Sequence, residues 1–150
     1  MSGKGLAQFD AHHAIHQAAF DEAEQWTRIL RKKAHEGQVD EALHLASVLL
    51  EHWETRTLRH ADSEEEGLYQ EIERAESRVA RRIAQLTRDH DLMRTLVTEI
   101  EGILATHGWS DGVVERFEAM LLINAIHGRD EEKFLFQSGL PLADILAKER

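Results

Sequence analysis

Cysteine is absent from these 150 residues. That excludes disulfides, thiolate metal sites and a cysteine nucleophile. Proline is nearly absent: Pro141 is the only one. With nine glycines, the chain has few residues that stop a helix. No apolar run reaches the roughly 20 residues of a membrane span, and the opening MSGKGLAQFDAHH has no apolar signal core. Positive charge is also in short supply. The formal net charge of −10 argues against nucleic acid and against an anionic membrane surface as partners. A cytoplasmic protein is expected.

What is present is helix-forming: Ala, Leu, Glu and Arg dominate. The expectation is one all-α domain over residues 1–150, an up-down four-helix bundle at about 5–137 with a short C-terminal helix in the tail 138–150. The first helix, about residues 5–35, repeats apolar groups at Phe9, Ile15, Ala19, Ala23, Trp26 and Leu30. Gly37 offers a stop. The second begins near Gln38 and carries Ala42, Ala46, Leu49 and Trp53. The third carries Val79, Ile83, Leu86, Met93, Val97, Ile100 and Leu104. Gly108 ends it, and Ser110 or Asp111 caps the fourth, which carries Val113, Phe117, Met120, Phe134 and Leu135. The junction between the second and third helices has no glycine or proline. His60 and His90 would lie about 45 Å apart on one continuous helix, so the chain must reverse between them.

Ten histidines are available, and the apolar rows run into several of them. The second-helix row continues to His60, Glu64 and Leu68. The third passes through His90, and the fourth runs through Asn124 to His127, Glu131 and Phe134. The first passes through His12 and His16. A single histidine on an apolar face is ordinarily a packed core or boundary residue, but a buried carboxylate without a partner is costly. In an up-down bundle, residues equidistant from a turn share a level. His12 and the His60–Glu64 pair are equidistant from Gly37. His90 and the His127–Glu131 pair are equidistant from Trp109–Ser110. The same rule sets the unmarked turn near residue 76, so six side chains meet in one layer.

Four imidazoles and two carboxylates in one buried layer suit a transition-metal site. His at i and Glu at i+4 share a helix face, so each Glu can bridge two ions while its His binds one. The stretches RHADSEEEGLYQ and IHGRDEEKFLFQ both read His, three residues, Glu-Glu, then apolar and aromatic groups. Together with TRDHDLM, this H…HxxxE…H…HxxxE pattern over about residues 5–137 resembles the hemerythrin-like (HHE cation-binding) domain. The matching residues are His12, His60, Glu64, His90, His127 and Glu131.

The resemblance implies a non-haem di-iron centre of two Fe ions, with Zn, Mn or a mixed Fe/Mn pair as other occupants of the same ligands. It implies a small ligand such as O2, NO or peroxide, bound or turned over in sensing or redox stress handling. Iron storage or donation of the iron–sulfur repair type, and a peroxide-decomposing enzyme, are the alternatives; a protein partner is left unidentified. The chain departs from the oxygen carriers at Arg94, where those have a second third-helix histidine, and at Glu132, where they have an Asp. Among the first-helix histidines, His12 is preferred as ligand, with His16 as an outer partner or the alternative ligand, and His13 facing outward. Glu65, Glu132 and Tyr69 are candidate neighbours of the layer. His35, His44, His52 and His107 are expected at the surface.

Overall fold

The computed structural model describes residues 3–137, with side-chain surroundings for 11–135. The expected tail helix, 138–150, and the side chain of Phe9 lie outside that range. Apart from the turns, the described residues are helical, with no strand among them, and form four rods packed as a helical bundle.

The first rod is α1, Gly3–His35. The second is continuous but not uniform. It runs through α2, Val39–His52, a π-helical stretch, Trp53–Leu58, α3, Arg59–Ser63, a second π-helical stretch, Glu64–Leu68, and α4, Tyr69–Ala75. The third rod is α5, Ala80–Thr106, entered through a 3-10 turn at Ser77–Val79. The fourth is α6, Asp111–Gln137.

Two of the three turns are glycine turns. Gly37 and Gly108 have φ of 73° and 72°, the left-handed region that costs glycine no Cβ clash. Ser110 caps α6 by accepting the Gly112 N–H at 3.2 Å. The third turn falls at Glu76, with φ −151° and ψ 89°, where equal spacing places it. Packing makes it: Ile72 and Val79 flank the turn and enter one apolar cluster. No residue type announces that.

The core is divided. One apolar cluster, toward the Gly37 and Gly108 turns, contains Leu30, Leu49, Trp53, Ile100, Phe117 and Met120, all with no exposed surface. A smaller one, toward Glu76, contains Leu68, Tyr69, Ile72, Ile83, Leu86 and Leu135. Between them lies a layer of buried polar side chains. On the second rod one π-helical stretch ends just before His60 and the other begins at Glu64. Each adds a residue to a helical turn, so the buried row advances from Trp53 to Leu58 and leaves Thr57 half-buried. The straight α-helical row read from the sequence does not include that shift. Ile15, expected in the α1 stripe, is 54 % exposed.

Candidate metal centre

Each rod delivers its side chains to the polar layer. His12 and His16 come from α1, His60 and Glu64 from the second rod, His90 from α5, and His127 and Glu131 from α6. Glu64, His90, His127 and Glu131 are at most 3 % exposed. All six residues expected in the layer are brought together, and His16 joins them.

The donor atoms converge without bonding well to one another. His12 Nε2 is 3.3 Å from Glu64 Oε2 and 3.4 Å from Glu131 Oε1. His60 Nε2 is 3.7 Å from Glu64 Oε2. His90 Nε2 is 3.4 Å from Glu64 Oε1, and His127 Nε2 is 3.4 Å from Glu131 Oε2. Charge-assisted hydrogen bonds would close to about 2.7–2.9 Å. Ligands about 2.0–2.1 Å from a tetrahedral ion lie about 3.3–3.4 Å from each other, which is the spacing of four of these five pairs.

The outer nitrogens fix the tautomers. His90 Nδ1 lies 2.8 Å from Glu65 Oε2, and His127 Nδ1 lies 3.0 Å from Asp89 Oδ2. A carboxylate only accepts, so both Nδ1 atoms carry hydrogen. In the neutral rings both Nε2 atoms are then lone pairs, and they face each other at 3.2 Å. Two lone pairs at that distance repel unless a proton or a cation sits between them. His60 Nε2 and Glu64 Oε2 are buried with no hydrogen-bond partner. Imidazole nitrogens and carboxylate oxygens converging in a buried layer fit a metal ion, and two overlapping groups could hold one: His12, His16, His60 and Glu64, and Glu64, His90 and His127.

The protonation pattern reflects the same crowding. Burial pushes His16 down to about 3 and His60 down to about 4. Burial also lowers His90, with the neighbouring His127 adding to it. Burial opposes a charge on His12, but the carboxylates of Glu131 and Glu64 outweigh it and raise the ring to about 10. Glu64 is held well above the carboxylate range by burial and by the charge of Glu131. Glu131 is held well below it: burial opposes that, and hydrogen bonds from His12 and His127 prevail. His127 is raised in turn: burial opposes its charge, and Glu131 and Asp89 outweigh it, so the charged ring carries hydrogen on Nε2 as well.

Around the layer, Tyr69 donates its hydroxyl to Glu131 Oε2 and stacks on the His90 ring, 5.7 Å between centroids and 3° between planes. Arg94 lies one turn after His90 on α5. It does not reach the layer centre but grips Glu65 at 2.6 Å, Asp62 at 2.7 Å and Asp91 at 2.9 Å, thereby steadying the carboxylate that orients His90. Glu132 is not an outer partner of the layer. It is 41 % exposed and faces the outward-pointing His13 at 3.6 Å. His52, expected at the surface, is half-buried with Nε2 3.0 Å from the Ala19 carbonyl oxygen. His35, His44 and His107 are exposed.

Asp89 is the residue that sequence reasoning missed. It precedes His90, so it stands at nearly the same level and about 100° around the helix. Proximity to a core histidine on a rod beside α6 was the available signal. No family model, no curated protein and no solved structure matches this chain. Among the described residues, no helix is long and apolar enough to cross a membrane.

Proposed function

We propose that the chain is an up-down, hemerythrin-like four-helix bundle that holds a non-haem di-iron centre and binds or reacts with O2, NO or peroxide. The observation that carries this reading is the meeting of the His90 and His127 Nε2 atoms at 3.2 Å, with both outer nitrogens committed to carboxylates. His12, His60, Glu64, His90, His127 and Glu131 would hold the metals. Each oxygen of Glu64 faces a different set of histidines, as a bridging carboxylate requires. Iron bound there would supply redox chemistry and open coordination positions for a small ligand.

The remaining work belongs to this chain's own groups. Glu65 and Asp89 hold two imidazoles in the Nε2-acceptor tautomer. Burial, with the charges of Glu131 and Glu64, raises the Tyr69 hydroxyl well above its ordinary range. Tyr69 therefore keeps its proton and presents it to Glu131 Oε2. A cavity of about 20 Å³ touches His16, His60, Glu64, His90 and His127. That is about one water's worth of space, lined by the candidate ligands, so it is room for a metal ion and leaves none for an organic substrate.

The test is elemental analysis of protein expressed with iron supplied, paired with optical spectra in air, with NO and after peroxide. Two irons per chain and a charge-transfer absorption that responds to these ligands are expected. A well-folded protein that takes up no metal would sink the reading.

A further inference from the structure

The third helix supplies one imidazole, because Arg94 occupies the next turn and is tied to three carboxylates. The first helix instead brings two. His12 and His16 lie one turn apart on one face of α1. Their ring centroids are 4.5 Å apart; His16 is 4.5 Å and His12 4.7 Å from the His60 ring. The three rings form a nearly equilateral triangle. Glu64 closes it, with one donor atom from each of the four residues within 4.8 Å of the others.

Resting on the dinuclear reading above, we propose that His16 is a direct ligand, and that the two metal positions are unequal. One position has His12, His16, His60, Glu64 Oε2 and Glu131 Oε1. The other has His90, His127, Glu64 Oε1 and Glu131 Oε2. The two share both carboxylates, and the first is richer in imidazole. Both imidazoles of the second are backed by further carboxylates, Glu65 and Asp89. That backing raises the basicity of the ring nitrogens, and the added negative charge favours a cation. The His90–His127 position therefore fills first and holds its ion more tightly. His16 completes the second, weaker position.

Zinc(II) is a suitable probe because it has no redox chemistry. Calorimetric titration of the chelated full-length protein should show two sites of unequal affinity. His16→Ala should weaken the second by more than about a hundredfold, beyond the usual cost of losing an outer hydrogen-bond partner, and leave the tighter one in place. Added imidazole should restore part of the lost affinity, which a purely structural role for His16 would not allow. If His16→Ala does not fold, the wild-type protein still decides. Long-range ¹H–¹⁵N spectra, with His16 assigned through His16→Gln, should show its ring nitrogen shifting when the second zinc equivalent enters. Two wild-type-like sites in His16→Ala, or His16 signals indifferent to zinc, overturn this proposal and leave the dinuclear reading standing. No zinc binding by the wild-type protein overturns both.

Discussion

The same rods pack in opposite ways a few turns apart. Toward the Gly37 and Gly108 turns, Trp53, Leu49, Phe117 and Met120 exclude solvent completely. Only the Trp53 Nε1 lies buried without a partner within that cluster. About three turns further along the second rod and α6, Glu64 and Glu131 are buried as deeply, yet their neighbours are imidazoles at 3.3–3.7 Å. The apolar end is complete by itself. The polar layer leaves imidazoles and carboxylates facing one another beyond close hydrogen-bonding distance. Such a layer persists because the packing on both sides of it holds four rods in register, and that rigidity keeps the donors apart at metal-ligand spacing.

The sharpest way to break the contrast is at the apolar end. Phe117→Ala should cost about 3–5 kcal/mol, by the same amount in chelated and in metal-loaded protein, as read by denaturant unfolding. The polar layer should behave in reverse. Glu64 is held above its usual range, first by burial and then by the charge of Glu131, so a neutral isostere suits the chelated protein. Glu64→Gln should leave the melting temperature of chelated protein unchanged or raised. It should abolish the gain on adding metal, a gain worth about 4 kcal/mol when metal is at a thousand times its dissociation constant. A variant that loses stability in the absence of metal and still gains it on metal addition would contradict the assignment.

Acid sharpens the same contrast. His16 and His60 titrate near 6.5 when unfolded but are pushed by burial to about 3 and about 4 when folded. Between those values the unfolded chain binds more protons, so chelated protein should lose stability as pH falls from about 6.5 toward 4. His12 acts in the other direction. Its ring is raised to about 10 by Glu131 and Glu64 against the opposing effect of burial, so its contribution is full below about 6.5 and is lost as pH rises through about 10. Melting curves across pH should show a flattened acid limb in His60→Leu; an unchanged limb would mean that His60 is not buried as a neutral ring. The smallest effect belongs to Asp89→Asn. It should weaken metal binding at the His90–His127 position about 10- to 100-fold and leave the unfolding of chelated protein nearly unchanged, as measured by paired titration and melting.

Much of this contrast is legible along the chain. The turns at Gly37, Gly108 and Glu76 and the level shared by His12, His60, Glu64, His90, His127 and Glu131 follow from helical periodicity and equal spacing. What escaped concerns relations between rods. Asp89 reaches His127 from a different helix, and Arg94 steadies Glu65 across from the second rod. His16 closes a triangle whose other corners are one turn back and one rod away. The π-helical stretches at Trp53–Leu58 and Glu64–Leu68 also escaped, because an inserted residue in a helical turn leaves no residue-type mark.

The sequence by itself determined that this chain is helical, where its rods turn, and which imidazoles and carboxylates share a level. Those properties depend on local propensity and on a period of 3.6 residues, which are written in the order of residues. Only the tertiary structure decided which nitrogen of His90 and His127 faces the centre, that His16 stands with His12 and His60, and that His60 Nε2 and Glu64 Oε2 have no hydrogen-bond partner. Ring orientation is set by groups on neighbouring rods at hydrogen-bonding distance, and a difference of less than an ångström separates a hydrogen bond from a metal-ligand edge.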